Sequence, residues 1–383
     1  MLQEKKPYLH PDWINPHALK VIKRLQSKGF LCYLVGGCIR DLLVGINPKD
    51  FDIVSNARPR QIKKSIPNAY IIGKRFRLVL ARRGDLQLEI ATFRRNKTDE
   101  DDLTETDDAN MMGDNYFGSP EDDAERRDFT INALLYDPFK DKVIDYLTGL
   151  DDLKQKKIKI IGDPKKRIEE DPIRIFRAIR LAHKLNFTIE TNLQKVIQEN
   201  CEVIEQSILP RRREEYIKML KLKNPSAAFL HAKDLGILKF IAPKIDKALE
   251  NQEFIYRLRN KPESLNHQST SQLFAFLISA YYRSMINPNP YKAPKGKLIL
   301  ENPELSDLMK NELGMFNYEQ ALACKAFKMQ AEFSNIVQMP ETQRSFQASK
   351  KSFPIAYLYS LIDQSHSAAT LSKLGKYVEY ERY

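Results

Sequence analysis

Two acidic residues one position apart, Asp50 and Asp52, have the clearest chemical potential in this sequence. They belong to the stretch Lys49-Asp-Phe-Asp-Ile-Val54, in which the apolar residues Phe51 and Ile53 alternate with them. Because successive side chains of a strand point to opposite faces, both carboxylates are predicted on one face and both apolar side chains in the core. Two such carboxylates repel each other unless a cation lies nearby, and Mg²⁺ prefers oxygen ligands. The pair therefore predicts a Mg²⁺ site, although an isolated Asp-x-Asp is more often an ordinary surface feature.

A third carboxylate, Glu89, lies in a later β-rich segment, residues 86–93. The apolar residues at 86, 88 and 90 are predicted to face one way and Glu89 the other way, as a ligand beside Asp50 and Asp52 would. We predict that the three carboxylates hold two Mg²⁺ ions about 3.5–4 Å apart, with Mn²⁺ able to substitute. Such ions serve an in-line phosphoryl displacement, in which one activates the attacking hydroxyl and the other holds the leaving pyrophosphate.

A pair of glycines, Gly36 and Gly37, precedes the acidic pair and is followed by Arg40 and Asp41. The glycines are predicted to open a short helix. Backbone N–H groups and the dipole at such a helix start suit the phosphates of a nucleoside triphosphate. The combination of Gly-Gly, Arg-Asp and three carboxylates is far more specific than any of its parts.

The surrounding sequence predicts the elements that must position these groups. Helical spacing extends over residues 17–28 and ends at Gly29, and shorter helices are predicted at 39–44 and 59–65. Strands are predicted at residues 31–35, 51–54, 70–72, 78–82 and 86–93. Residues 98–123 read as an acidic loop. The second half reads as helical, with helices at 271–285 and 318–333 and a Pro- and Lys-rich link at 287–297. The mixture indicates an α+β head followed by helical domains.

Length and charge constrain the class of partner. A chain of 383 residues suggests two or three domains, and its net charge of +12 favours a polyanion such as nucleic acid. The four cysteines lack zinc-ligand spacing and are expected to be reduced. No signal peptide and no apolar run of roughly 20 residues is seen, so we expect a cytoplasmic protein without a membrane span.

Further motifs continue the pattern in a fixed order. They are Arg126-Arg-Asp-Phe-Thr-Ile-Asn-Ala133, Asp145-Tyr-Leu-Thr-Gly-Leu-Asp-Asp-Leu153 and Glu170-Asp-Pro-Ile-Arg-Ile-Phe-Arg-Ala-Ile-Arg180. Together with the acidic pair they resemble the class II tRNA nucleotidyltransferase and bacterial poly(A) polymerase family, a branch of the DNA polymerase β-like superfamily. The resemblance extends over about residues 30–245. It implies a polymerase β-like head with a mixed sheet, followed by an all-helical neck and body.

The domain organisation that this resemblance implies has four parts. We expect a lead-in over residues 1–16, a catalytic head over 17–148, a helical neck over 149–245 and a helical RNA-binding extension over 246–383. Aromatic residues of the extension could stack on RNA bases, but most of them are expected in the core.

The resemblance also assigns roles to single residues. Asp171 and Arg174 would read the base, because a carboxylate and a guanidinium match the amino group and ring nitrogen of adenine or cytosine and would refuse guanine and uracil. The other nucleotide-binding residues would be Gly36, Gly37, Arg40, Arg127, Asp128, Asn132, Arg177 and Arg180. The expected RNA contacts are Lys74, Arg75 and Arg211, and Glu215 is expected to brace the base-reading helix.

Simpler structural interpretations of these positions stay open. Asp171 and Pro172 have the residue types of a helix start, with Asp171 as the N-cap. Asn132 could be a hydrogen-bonded turn residue, and the run from Arg211 to Glu215 could be an ordinary solvated stretch of charges.

The expected activity is the addition of AMP from ATP to RNA 3′ ends. Residues 71–80 resemble the poly(A) polymerase signature of two aliphatic residues, Gly, two basic residues and Phe, whereas CCA-adding relatives commonly have a His-Gly-Thr type of segment there. Residues 114–125 point the same way, and Ala81 departs from the pattern. The alternatives are a CCA-adding enzyme and, from another class, an inactive RNA-binding protein on the same fold.

Overall fold

The structure, a computed structural model, describes residues 3–5, 9, 11–73, 77–84, 86–96, 116–287 and 302–378. The chain forms two compact units. The first contains Met1–Arg167 and Thr188–Leu193, and the second contains Ile168–Phe187 and Gln194–Tyr383. Residues 149–167, which the sequence placed in the neck, therefore belong to the first unit. The division between neck and body at residue 245 stays a prediction.

A mixed sheet forms the framework of the first unit. In the described residues it has eight strands in the order β1-β8-β7-β2-β3-β6-β5-β4, and β3 and β6 pair in parallel while the other neighbours are antiparallel. The strands are β1 (Gln3–Lys5), β2 (Cys32–Val35), β3 (Asp52–Ser55), β4 (Ala69–Ile72), β5 (Leu78–Arg83), β6 (Leu86–Thr92), β7 (Leu135–Asp137) and β8 (Lys142–Asp145). Two short strands, β9 (Lys157–Ile158) and β10 (Thr188–Ile189), form a separate parallel pair. The strands that the sequence predicted are confirmed.

Helices of the first unit begin and end at residues with clear local causes. They are α1 (Pro16–Gln26), α2 (Gly37–Leu43), α3 (Pro59–Ser65), α4 (Pro120–Glu125) and α5 (Gly149–Lys154), and α6 (Pro164–Glu170) contains the unit boundary. Asn15 caps α1, because its Oδ1 accepts from the His17 N–H at 2.8 Å, and Gly29 follows the helix with φ +84°. The predicted helix at 17–28 is thus confirmed within two residues at each end.

The acidic loop predicted at residues 98–123 is wrong at its C-terminal end, where α4 forms. Ser119 caps this helix by accepting from the Asp122 N–H at 3.1 Å, and Pro120 occupies its first turn. Acidic residues in that first turn interact favourably with the helix dipole. Residues 98–115 of the predicted loop and residues 288–297 of the predicted link lie outside the described residues.

The second unit is helical throughout its described part, as the sequence predicted. Its helices are α7 (Ile173–Leu185), α8 (Thr191–Glu199, which begins in the first unit), α9 (Leu209–Leu220), α10 (Pro225–Asp234), α11 (Leu238–Ile241), α12 (Pro243–Ala248), α13 (Gln252–Arg259), α14 (Thr270–Tyr281), α15 (Pro303–Asp307), α16 (Asn317–Ile336), α17 (Glu341–Ala348), α18 (Phe353–Asp363) and α19 (Ala368–Gly375). Tyr282–Ile286 and Leu308–Glu312 continue α14 and α15 as π-helical turns.

Aromatic side chains join α7, α9 and α10 in the core of the second unit. The rings of Phe176 and Tyr216 meet edge to face with centroids 5.4 Å apart, and Tyr216 stacks on Phe229 at 6.4 Å. These contacts hold α7 against α9. None of the helices in the described part of the chain combines the length and the apolar character needed to cross a lipid bilayer.

Candidate active site

The acidic pair lies at the start of β3, and its alternation with apolar residues is confirmed. Phe51 and Ile53 are buried, whereas Asp50 and Asp52 are exposed. Asp50 precedes the strand, and Asp52 is its first residue. The local pattern therefore folds as the sequence predicts, with apolar side chains toward the core and carboxylates toward solvent.

Glu89 lies directly beside Asp52, because β3 and β6 pair in parallel with these two residues in register. Glu89 is exposed and its neighbours Leu88 and Ile90 are buried, as predicted. Leu86, which shares their face by alternation, is 49% exposed. It is the first residue of β6, where the strand begins at the edge of the buried region.

The electrostatics of this sheet end are unfavourable for three ionised acids. Desolvation raises the pKa of Asp52, the neighbouring Glu89 and Asp50 carboxylates raise it further, and Arg127 lowers it. A divalent cation would relieve this repulsion, and a set of carboxylate oxygens suits Mg²⁺. In the described part of the chain, no three acidic, His or Cys side chains already converge on one point as a metal site. The ligand set therefore stays a prediction that the charges support.

The glycine turn at Gly36 lies close to Arg127, which belongs to the motif at residues 126–133. Gly36 has φ +80°, and a Cβ at this residue would lie 3.2 Å from Arg127 Nη1. A side chain here would be strained and would crowd the guanidinium, so both the turn and the close approach require glycine. The Gly36 N–H donates to the Leu134 carbonyl at 3.2 Å, so it does not point to an open phosphate site as expected. Gly37 is the first residue of α2.

Arg127 is held beside the carboxylates by a residue that the sequence interpretation missed. Its Nη2 and Nε donate to Asp123 Oδ2 at 2.8 and 3.2 Å, and Asp123 is buried. Asp123 also accepts from the Arg94 backbone N–H at 3.2 Å and lies 3.8 Å from Arg126 Nη1. The four-residue spacing of Asp123 and Arg127 on a helical segment was the available signal.

This arrangement concentrates positive charge around one buried acid. Desolvation and the neighbouring guanidinium groups lower the pKa of Arg94 and of Arg126, and Asp123 only partly compensates. The first unit thus places basic groups near Asp123 and acidic groups at the β3 end, with Arg127 interacting with both.

Arg40 and Asn132, which are buried, form a hydrogen-bond network with the half-buried Asp128. Arg40 Nη1 donates to Asn132 Oδ1 at 2.5 Å, and its Nε and Nη2 donate to Asp41 Oδ1 at 2.9 and 2.6 Å. Asn132 Nδ2 donates to Asp128 Oδ1 at 2.9 Å. Arg40 and Asn132 are both buried, so the interpretation of Asn132 as a hydrogen-bonded turn residue agrees with these contacts. Direct contact of Arg40, Asp128 and Asn132 with a nucleotide stays a prediction.

In the second unit, Asp171, Arg174, Arg177 and Arg180 are all half-buried, while the residues between them are buried. Asp171 accepts from Arg211 at 2.6 Å (Oδ1 from Nη1) and 2.8 Å (Oδ2 from Nη2), a bidentate ion pair. The N-cap of α7 is Pro172 rather than Asp171, so the capping interpretation of the Asp171 carboxylate is wrong. Arg174 donates to Glu170 Oε2 at 3.0 Å.

Glu215 makes the contact expected of a brace. It is buried and accepts from Arg180 Nε at 2.6 Å and from Lys218 Nζ at 3.0 Å, which links α9 to α7. Burial raises the pKa of Glu215, but Arg180 and Lys218 together lower it by more, so the net shift of this pKa is downward. Arg211 pairs with Asp171, and its predicted contact with RNA stays a prediction. Lys74 and Arg75 lie outside the described residues.

Two families match the chain. Residues 32–159 match the family described as "Poly A polymerase head domain", and residues 186–249 match "Probable RNA and SrmB- binding site of polymerase A". The chain is 36% identical to Poly(A) polymerase I of Haemophilus influenzae over 249 residues, which are 64% of this chain and 55% of that protein. It is 41% identical to Poly(A) polymerase I of Escherichia coli O157:H7 over 212 residues, 54% and 46% of the two chains. The chain thus spans about half the length of these relatives.

CCA-adding enzymes are also similar. One from Ligilactobacillus salivarius is 34% identical over 237 residues, 61% of this chain and 56% of that protein. Among solved structures, the Bacillus stearothermophilus CCA-adding enzyme in complex with CTP superposes with a TM-score of 0.68 at 20% identity, covering 95% of this chain and 82% of that chain. At this identity the likeness shows the fold, which is α+β with a helical C-terminal region.

Proposed function

We propose that the chain belongs to the nucleotidyltransferase family of poly(A) polymerases and CCA-adding enzymes, and that it adds AMP from ATP to the 3′ ends of RNA with release of pyrophosphate. The observation that carries this proposal is the register of Asp52 with Glu89, with Asp50 and Arg127 close enough to change the pKa of Asp52. Such a cluster is expected where phosphoryl groups and cations meet.

The carboxylates of Asp50, Asp52 and Glu89 would hold two Mg²⁺ ions, or Mn²⁺ in their place, which when bound activate the RNA 3′-hydroxyl and neutralise the leaving pyrophosphate. The protein itself contributes mostly positioning and charge, as is general for phosphoryl transfer. Arg127 is fixed by the buried Asp123, so its guanidinium keeps its place when an anionic nucleotide arrives. Arg40 fixes Asn132, which in turn orients Asp128 for the proposed nucleotide contact.

Base selection is proposed for Asp171 and Arg174. The carboxylate of Asp171 would accept from the amino group of adenine, and Arg174 would donate to the adjacent ring nitrogen. Arg211 already donates two hydrogen bonds to Asp171. An ionised carboxylate has about four acceptor positions, so Asp171 can accept from a base and keep Arg211. In this proposal Arg211 orients the Asp171 carboxylate that recognises the base.

Poly(A) addition is favoured over CCA addition by two observations. Identity to the poly(A) polymerase I relatives reaches 41%, against 35% or less for the CCA-adding relatives, and residues 71–80 fit the polymerase signature. CCA addition stays the second candidate because the chain aligns over a larger part of one such enzyme. It is 29% identical to the enzyme of Bacillus licheniformis over 86% of this chain and 83% of that protein.

The experiment that tests the proposal offers two RNAs to the purified protein with Mg²⁺. One is a short oligo(A), and the other is a tRNA that ends just before CCA. Each nucleoside triphosphate is supplied alone, then CTP and ATP together, and product lengths are read on a gel. We expect long ladders on oligo(A) with ATP alone. A three-nucleotide extension of the tRNA that needs both CTP and ATP would establish the second candidate, and no incorporation on either RNA would contradict the proposed function.

A further inference from the structure

Two aromatic side chains lie exposed beside each other where α16 begins. Phe316 is 58% and Tyr318 62% exposed, and their rings stack with centroids 6.0 Å apart and planes 17° apart. Single exposed aromatic residues are ordinary on a protein surface. Among the ring pairs of the described residues, however, this is the one in which both partners are largely exposed. A stacked and exposed pair offers flat apolar area that the fold itself does not use.

A buried ion pair fixes this turn. Glu319 is 1% exposed, and its carboxylate accepts from Arg213 Nη2 at 2.6 Å and from the Phe316 N–H at 2.8 Å. Arg213 Nε donates to the Gly314 carbonyl at 3.0 Å, and its guanidinium carbon lies 4.5 Å from the centre of the Phe316 ring. The backbone at Phe316 and one neighbour of its ring are therefore set before any ligand binds, which lowers the ordering cost of binding.

Basic side chains accompany the pair. Arg213, whose guanidinium lies against the Phe316 ring, ends the run Arg211-Arg212-Arg213 in the first turns of α9, and Arg211 is exposed but pairs with Asp171. Lys310 is exposed in the π-helical turn just before residue 316. The acids Glu312 and Glu319 of the same region are buried and paired with basic groups, while Glu214 is exposed. Lys310 is thus an exposed cation of the turn, and Arg213 is the basic group that contacts the pair.

We propose that Phe316 and Tyr318 form a platform on which a base of single-stranded RNA stacks, with the phosphates attracted by the neighbouring basic residues. This inference rests on the proposed function, since it gives the RNA substrate a second place of contact. Stacking on aromatic rings beside basic side chains is the usual means of binding single strands without sequence preference, because every base has a flat π-face. A partner protein would instead be expected to bury apolar area without needing the surrounding positive charge.

The test measures binding rather than turnover. An oligo(A) containing 2-aminopurine is titrated with the full chain in the absence of ATP and divalent ions, and its fluorescence gives both affinity and stacking. We expect Tyr318→Leu and Phe316→Leu to raise the Kd roughly tenfold and to abolish quenching. Tyr318→Phe and Phe316→Tyr keep the rings and should bind like the parent protein. With an abasic oligonucleotide, the Leu variants and the parent should bind equally, because no base remains to stack.

Each other outcome decides the question. Parent-like binding and quenching by Tyr318→Leu, while the parent protein binds oligo(A), would overturn the platform and leave the proposed function intact. A parent protein that neither binds nor extends oligo(A) would overturn the proposed function and the platform together. If Tyr318→Leu loses self-association in sedimentation but binds RNA normally, the surface is an interface between copies, and the platform is again overturned. Because Tyr318 is exposed, its substitution is expected to keep the fold, which the melting temperature checks.

Discussion

The β3 end of the first unit and the α7–α9 contact of the second unit both place carboxylates close to other charges, but with opposite balance. At β3, desolvation and then the neighbouring Glu89 and Asp50 carboxylates raise the pKa of Asp52, although Arg127 lowers it. At α9 the neighbours of Glu215 are Arg180 and Lys218, and its pKa is lowered. At β3, Arg127 does not offset the effect of the other acids on Asp52, whereas at α9 two basic side chains stabilise the ionised Glu215. This is the difference expected if the first arrangement holds a cation, as proposed, and the second braces α7 against α9.

Backbone pairing explains how the unfavourable arrangement persists. Asp52 and Glu89 stand side by side because the parallel ladder of β3 and β6 fixes their register, and the buried Ile53 and Ile90 one residue further pair in the same ladder. The apolar core therefore holds the acids together against their repulsion. Functional sites commonly break local rules in this way, while the surrounding structure supplies the stability.

The largest expected effect follows from removing one charge at the β3 end. Asp52→Asn should lower AMP incorporation into oligo(A) by at least about a hundredfold, because a proposed ligand of the metal ions is lost. Its melting temperature without divalent ions should not fall, since the substitution also removes repulsion with Glu89 and Asp50. The matched control is Glu199→Gln, which changes a 57%-exposed side-chain carboxylate paired with Lys195 and should keep full activity. Undiminished incorporation by a clean Asp52→Asn preparation would contradict the metal-site assignment.

The complementary substitution removes the carboxylate of Glu215 from its contacts with Arg180 and Lys218. Glu215→Gln should lower the free energy of unfolding by about 2 kcal/mol, because Arg180 and Lys218 lose a buried ionic partner. Urea unfolding followed by circular dichroism measures this change. The exposed pair of Glu199 with Lys195 serves again as control, and Glu199→Gln should change stability by less than about 1 kcal/mol. Equal effects at the two positions would show that the α7–α9 pair contributes no more than a surface contact.

The pH dependence of this stabilisation has a definite sign. A carboxyl whose pKa is lower in the folded state stabilises that state above its unfolded pKa, and the contribution is lost as the pH falls. The ordinary glutamate pKa is about 4.3, so the difference between the parent protein and Glu215→Gln should be full at neutral pH and shrink below about that value. A difference that stays constant down to strongly acidic pH would mean that the glutamine variant fails for reasons of packing.

The same two regions show what a sequence can predict. The strands and the exposed carboxylates of β3 and β6 followed from alternation, because neighbours in the chain determine which face a side chain takes. The bidentate pair of Asp171 and Arg211 did not, because it joins residues 40 positions apart and depends on how α7 packs against α9. The contact of Asp123 with Arg127 is missed for a different reason, since the acidic composition of residues 98–123 predicts a loop, in which four-residue spacing has no meaning.

The smallest expected stability effect concerns this Asp171–Arg211 pair. Substituting Asp171 distinguishes its proposed role in base selection from a structural role in holding α7 against α9. Its side chains are partly exposed, so Asp171→Asn should change the free energy of unfolding by less than about 1 kcal/mol. Base selection should change much more, because an amide both donates and accepts and no longer refuses guanine or uracil. Competition between the four nucleoside triphosphates on oligo(A) measures this, with Glu199→Gln again as the control, since Glu199 pairs with the surface residue Lys195. Unchanged preference for ATP in Asp171→Asn would remove Asp171 from base selection and leave it as a second brace between α7 and α9.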